Sequence, residues 1–186
     1  MGGSGTGKGT QANLVEDKFL KNNEKVLHIE LGDQFREFLS MTTFTADKAN
    51  EIAKSGELQP EFLAIRLWAN EFNLYYQPDK NLIIDGTPRT LREALVLESA
   101  LKFYKIEQPI VIYLEASQEV LKKRMLSRGR TDDEMQKIDN RLAWFDKKVK
   151  PALEYFSQND YFRYYKIDGE RSIEEIAVDI EKIIFN

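Results

Sequence analysis

Cysteine is missing altogether, histidine occurs once, tryptophan twice and proline five times in 186 residues. Without cysteine there is no disulfide, no thiolate zinc site and no catalytic thiol, and the lack of disulfides fits a reducing compartment. His28, the only histidine, stands in an apolar run with no second base or metal ligand beside it, so it reads as structural. Long apolar stretches are also lacking: the longest are strand-sized, and the N-terminus has no signal-peptide pattern. No internal repeat, low-complexity tract or linker rich in Pro, Gly or Ser divides the chain. The formal net charge of −4 provides no broad positive field for nucleic acid or an anionic membrane, so any polyanion site must be local.

What is present is the composition of a soluble globular protein, 42% hydrophobic and 31% charged, long enough for one domain over residues 1–186. The expected compartment is the cytoplasm. Four runs rich in Val, Ile and Tyr read as strands: 26–31, 81–85, 109–115 and 162–168. "LIID" and "IVIYL" are nearly continuous, as in parallel strands covered on both faces. Helical patterns lie between them, for example Leu91, Ala94, Leu95, Leu101 and Tyr104, whose spacing predicts one shared face. Strands alternating with helices imply an α/β, three-layer parallel-sheet fold. Residues 32–78 are more than one crossover needs and read as a helical insertion, and the polar stretch 127–134 reads as a short lid.

The chain opens with MGGSGTGKGTQ. Gly3, Ser4, Gly5, Thr6, Gly7, Lys8, Gly9 and Thr10 have the spacing of a phosphate-binding loop that runs into a helix through Ala12, Val15 and Phe19. Glycines let successive backbone N–H groups curl round phosphate oxygens, the helix N-terminus adds positive potential, and a lysine reaches the β and γ phosphates. The general pattern places Ser or Thr directly after the lysine; here Gly9 intervenes before Thr10 and Gln11.

That variant resembles the adenylate kinase family and its nucleoside monophosphate kinase relatives, whose loop reads GxxGxGKGTQ. Further motifs follow in order: "LGDQFRE" through Gly32, Asp33 and Arg36; "GELQP" from Gly56 to Pro60; "DGTPRT" from Asp85 to Thr90; Arg124, Arg128, Gly129, Arg130 and Arg141; and "YKIDGERSIEEI" near the end. The resemblance implies a Mg²⁺-dependent transfer of the γ-phosphoryl group of ATP to a nucleoside monophosphate. AMP would be the default acceptor, with GMP or CMP possible, and the partners would be those two nucleotides, with no nucleic acid, no membrane and a monomeric chain. Lys8, Arg89, Arg128, Arg130 and Arg141 would be catalytic. The glycine loop, Arg124, Asp168 and Gly169 would bind ATP, and Leu31, Arg36, Glu57, Gln59, Gly86, Arg89 and Glu93 the monophosphate. Asp85, ending an apolar strand, would orient water on Mg²⁺. Arginine suits these tasks as a permanently charged fork that grips two phosphate oxygens. Asp33, Asp132 and Asp133 are open to capping or lid roles and receive no catalytic one. Trp68 and Trp144 read as packing.

The chain departs from the family pattern in two ways. Glu93 stands where the family has a glutamine that reads the base, and an ionised carboxylate only accepts hydrogen bonds; Leu31 and Gln59 are also unusual at their positions. And a phosphate-binding loop normally follows a central parallel strand, whereas only Met1 precedes Gly2, so the sheet is expected to lack its middle and the loop its anchor. A catalytically impaired nucleotide-binding relative is therefore the alternative, with a loop ATPase a further one. Gly86, directly after the strand aspartate, argues against the ATPase, which needs a residue there to position water.

Overall fold

A computed structural model describes residues 1–128 and 134–185. Helix α1 (Lys8–Lys21) follows the glycine loop and leads to β1 (Lys25–Glu30). Helices α2 (Leu31–Leu39), α3 (Phe44–Ser55) and α4 (Glu61–Tyr75) then intervene before β2 (Lys80–Asp85) and α5 (Leu91–Phe103). Next come β3 (Ile110–Glu115), α6 (Gln118–Arg128) and α7 (Met135–Trp144), the last running through a π-helical turn into α8 (Lys150–Gln158). Strand β4 (Arg163–Asp168) and α9 (Ile173–Phe185) complete the order. All four expected strands are present, with Leu31 shifted into α2. Most of residues 127–134, the expected lid, lie outside the described residues, as do Gly129, Arg130, Asp132 and Asp133.

Local chemistry sets several helix starts. Thr43 caps α3 by accepting from the Ala46 N–H at 3.1 Å, and Thr90 caps α5 by accepting from the Glu93 N–H at 3.2 Å. Before α9, Ser172 and Glu175 form a reciprocal pair: each side chain accepts the other's backbone N–H, at 3.2 and 3.0 Å.

Strands β1 and β2 pair in parallel from Lys25 opposite Lys80 to Glu30 opposite Asp85, and β3 and β4 from Ile110 opposite Arg163 to Glu115 opposite Asp168. Among the described residues these remain two separate two-stranded sheets, so the continuous sheet expected from the alternating pattern is divided at its middle. The loop nevertheless has an anchor, which corrects the expectation drawn from its position. The Met1 amino group donates to the Ile112 carbonyl, and the Leu114 N–H donates to the Met1 carbonyl at 2.9 Å. Met1 thereby occupies one rung of a parallel ladder on β3.

The largest core joins β1, β2 and α5 to the helical insertion, through Ile29, Leu31, Phe35, Phe38, Trp68 and Phe72 among others. A smaller one lies between α1, α9 and the β3–β4 pair: Val15, Leu114, Ile167, Ile176 and Ile180. Helix α5 turns Ala94, Leu97 and Leu101 inward. Leu91 and Leu95, expected on that face, are 39% and 48% exposed, while Glu93 and Glu98 are buried, their carboxylates accepting from the Arg89 backbone N–H and from the Asn159 amide. His28 is paired with α1, its Nδ1 lying 2.7 Å from Glu16 Oε2. No helix of the described residues is long and apolar enough to cross a membrane.

Candidate active site

The glycine loop lies against the carboxyl ends of β2 and β3. Gly7 holds φ at 89°, a conformation that costs an L-residue dearly, and since a side chain there would meet nothing within 4 Å, it is the backbone and not space that requires glycine. The loop is closed internally by Thr6, whose buried hydroxyl donates to the Gly3 carbonyl at 2.9 Å. Lys8 Nζ donates to the same carbonyl at 2.8 Å, which lays the ammonium across the loop rather than out along α1. Gln11, in the first turns of α1, ties the helix to the start of α9 by donating to the Ile173 carbonyl at 2.9 Å.

Asp85 ends β2 facing this loop, its Oδ2 lying 3.5 Å from where a Cβ on Gly9 would sit. Gly86 then turns the chain at a φ of 83°, and Arg89 folds back to donate from Nε to the Gly86 carbonyl at 2.7 Å. Ser4, Lys8, Asp85, Gly86 and Arg89 border one small pocket of about 50 Å³. The Arg89 guanidinium lies 5.9 Å from the ring of Trp144, and its pKa is pushed down by burial first; Glu93 and Asp85 act in the opposite direction, and Arg141 adds to the lowering. Arg141 is thus near enough to Arg89 for the two cations to repel, the condition under which a shared anion is welcome.

Glu93 lies beneath this turn, 1% exposed. One carboxylate oxygen accepts from the Arg89 backbone N–H at 2.9 Å and from the Thr87 hydroxyl at 3.1 Å; the other has no hydrogen-bond partner among the described residues. Burial raises its pKa against the opposing pull of those bonds. Arg36 pairs with Asp33 and, at 3.6 Å, with Glu30. It stands just past the end of β1, its Nη1 lying 3.4 Å from where a Cβ on Gly32 would sit.

On the opposite flank, Arg124 of α6 donates to the carbonyls of Gly169 and Glu170 at 2.6 and 3.1 Å, and the Asp168 carboxylate accepts from the Glu170 N–H at 2.9 Å. Arg124, Asp168 and Gly169 are therefore brought together. Glu57 is exposed, Leu31 is buried in the core, and Gln59 is buried with its amide donating to the Ala49 carbonyl at 2.8 Å. Arg128 ends α6, and Arg130 lies outside the described residues.

One residue near the site was read from the sequence as packing alone. Trp144 borders the small pocket and donates from Nε1 to the Gly56 carbonyl at 3.2 Å. Asn140, one helical turn earlier, donates to the Ser55 carbonyl at 2.7 Å, so α7 clasps the end of α3. Gly56 has a φ of 71° and a Cβ there would come within 2.8 Å of Lys137 Cα, so only glycine fits this clasp. The available signal was spacing: Trp144 stands three residues after Arg141, on the same face of a helix.

No group of three His, Asp or Glu able to hold a metal occurs among the described residues. The site does fit a cation held by one carboxylate through water and otherwise by phosphate oxygens, because Asp85 faces the loop mouth beside Ser4.

A model of the adenylate kinase family matches residues 1–161. Three proteins named adenylate kinase are similar over nearly all of their own length. That of Flavobacterium psychrophilum is 32% identical, covering all of this chain and 96% of the relative. That of Prochlorococcus marinus strain MIT 9301 is 33% identical over 98% and 94%. That of Corynebacterium urealyticum is 33% identical over 95% and 92%.

Proposed function

The chain belongs to the adenylate kinase family and is a nucleoside monophosphate kinase; from that premise we propose how its own groups divide the work on ATP and the acceptor. Phosphoryl transfer asks a protein mainly to align donor and acceptor and to neutralise charge. The loop around Gly7 and the N-terminus of α1 hold the phosphates of ATP, with the Lys8 ammonium drawn over that loop by the Gly3 carbonyl. Arg124, fixed against Gly169, shapes the seat of the ATP adenine together with the backbone at Asp168. Arg36 and Arg89 grip the acceptor monophosphate. Arg141, with Arg128 and Arg130, meets the transferring group. Family members use ATP with Mg²⁺, and Asp85 would hold the hydrated ion; the metal supplies charge neutralisation on the phosphates. The insertion over 32–78 and the lid over 127–134 exclude water on a three-layer frame. The protein acts as a cytoplasmic monomer.

The observation that carries this division is the single small pocket bordered by Ser4, Lys8, Asp85 and Arg89. Its lining by the glycine loop and Arg89 together supports an in-line arrangement of the two nucleotides. Glu93 lies under the Arg89 turn, and its second oxygen, without a hydrogen-bond partner among the described residues, suits it to set the acceptor base while the first positions Arg89. The test is initial rates of ADP formation with AMP, GMP, CMP and UMP, for the parent and Glu93→Gln. Acceptor-dependent ADP formation supports the reading, whereas ATP consumption without any monophosphate would move it to a hydrolase. Unchanged relative rates in Glu93→Gln would take Glu93 out of acceptor selection.

A further inference from the structure

The two tryptophans of the chain lie in unlike places. Trp68 is 1% exposed within the insertion core. Trp144 is half-buried at the end of α7, bordering the small pocket with Ser4, Lys8, Asp85 and Arg89. Its indole serves two neighbours at once. The ring lies 5.9 Å from the Arg89 guanidinium, within the range over which an aromatic face attracts a cation. Its Nε1 donates to the Gly56 carbonyl at 3.2 Å. Arg89 is also held by its own Nε bond to the Gly86 carbonyl, so two contacts set the direction of its fork. Lys137 and Asn140 share the Trp144 face of α7 and meet the same end of α3. Directly after Trp144 the helix widens into the π-helical turn Phe145–Val149, a device common at functional sites. Phe145 lies 3.9 Å from where a Cβ on Gly3 would sit, so neighbouring residues of one helix reach the insertion, Arg89 and the glycine loop.

We propose that Trp144 is a positioning residue of the acceptor site: its ring orients Arg89 toward the phosphate of the monophosphate, and its Nε1–H seats the 56–60 segment beside the same nucleotide. Indole suits both tasks, since it joins a flat π face to one N–H donor at its rim. Phenylalanine would keep the first function and lose the second; leucine would lose both. Trp144 acts through Arg89, so the inference rests on the assignment of Arg89 to the acceptor. Lys8 has its own support in the Gly3 carbonyl, and the effect of Trp144 therefore falls on the acceptor rather than on ATP. A second link joins α5 to the start of α4, where Arg92 pairs with Glu61 at 3.3 Å. The Arg92 side chain is 78% exposed, which makes this pair a control for linkage without positioning.

The test is steady-state kinetics of the whole chain with ATP, Mg²⁺ and AMP. Trp144→Leu is expected to raise the KM for AMP about tenfold and to leave the KM for ATP within about twofold. Trp144→Phe should recover to within about threefold of the parent, and Arg92→Ala to stay within about twofold. In an Arg89→Ala background the step from Trp144 to Leu should shrink from about tenfold to about threefold, because only the lost N–H then counts. A merely structural role would leave that step unchanged. The proposal is overturned by a parental AMP KM in Trp144→Leu, by an equal rise in both KM values, by Phe and Leu behaving alike, or by Arg92→Ala matching Trp144→Leu. If Trp144→Leu does not fold, Trp144→Phe decides: a rise of about threefold in the AMP KM alone supports the proposal, and no rise ends it. The single Arg89→Ala variant separates the underlying assignment. A parental AMP KM there removes Arg89 from the acceptor and this inference with it, whereas a raised one beside a parental Trp144→Leu overturns Trp144 alone.

Discussion

The β1–β2 half and the β3–β4 half are built from the same unit, a pair of parallel strands six residues long, yet they are packed very differently. The first pair is half-buried, with only Ile29 of its strands fully buried, but the insertion helices beside it form the larger core, in which Leu31, Trp68 and Phe72 are at most 1% exposed. The second pair is packed by two smaller clusters, one from α1 and α9 and one around Tyr113, Val149 and Leu153, and each pair turns one edge, β2 or β3, to a cavity of about 660 Å³. The larger core thus lies beside β1 and β2, while the glycine loop is attached to β3 through one rung at Met1 and α1 to α9 through Gln11. The chemical groups stand at the seam. Their removal should affect turnover far more than folding, and the two halves should respond unequally to equal injury.

The largest effect belongs to the seam. Arg89→Ala and Lys8→Met should each lower turnover by about 10³-fold or more, in the range found for cations that act on a transferring phosphate. The accompanying loss of stability should stay below about 3 kcal/mol, the scale of one charged hydrogen bond such as that from Arg89 to the Gly86 carbonyl. Steady-state rates and denaturant titration of the same samples separate the two. Near-parental activity in Arg89→Ala would dissolve the acceptor assignment and leave the seam without its second side.

Next is the rung at Met1. Burial is the main cause that pushes the pKa of its amino group down from 8.0 to about 5, with Lys8 adding to the lowering and Asp85 opposing it. The unfolded amine binds a proton below about pH 8 and the folded one only below about pH 5, so folding releases a proton between them. Stability should therefore rise with pH from about 5 to about 8, by up to about 4 kcal/mol for three units of difference. Chemical acetylation of the amino group should flatten that slope. A pH titration of the unfolding free energy with equal slopes before and after acetylation would show that Met1 does not anchor the loop in solution.

The sequence disclosed the parts of the fold that depend on local pattern. Continuous apolar runs gave away the strands within a residue or so, and the glycine spacing before Lys8 located the loop, because both signals are contained in a few consecutive residues. What it concealed depends on contacts between distant segments. The clasp of Trp144 and Asn140 on the end of α3 joins residues more than eighty apart, and no periodicity announces it. The capture of the Arg89 backbone by Glu93 hid behind a substitution that looked like a change in base reading alone. Leu91 and Leu95 misled because amphipathic spacing identifies a face without saying which flank of it is covered. Met1 looked like a loose end, since a ladder rung is visible only once its partner strand has been placed.

A third effect measures the asymmetry of the two cores directly. Ile29→Ala, in the filled half, should cost about 4 kcal/mol, because its neighbours are locked and the void remains. Ile180→Ala, beside the large cavity, should cost about 2 kcal/mol, since part of its surroundings is already open and its neighbours can relax. Thermal or urea unfolding of both variants gives the difference. Equal costs would mean that the α1–α9 layer is as tightly held as the insertion core.

The smallest effect serves as the control on that difference. Thr43 caps α3 in the filled half and Ser172 caps α9 in the other, each by accepting one N–H of the first turn. Capping is a local exchange of a backbone donor between water and a hydroxyl, so its size depends little on how well the rest of the helix is packed. Thr43→Ala and Ser172→Ala should accordingly each cost about 1 kcal/mol, with the second retaining the Glu175 carboxylate on the Ser172 N–H. If urea titration finds the two equal while the isoleucine pair differs, the asymmetry resides in tertiary packing against β3 and β4. If Ser172→Ala costs several times more than Thr43→Ala, the weakness lies in α9 itself, whose first turn would then be holding the donor half together.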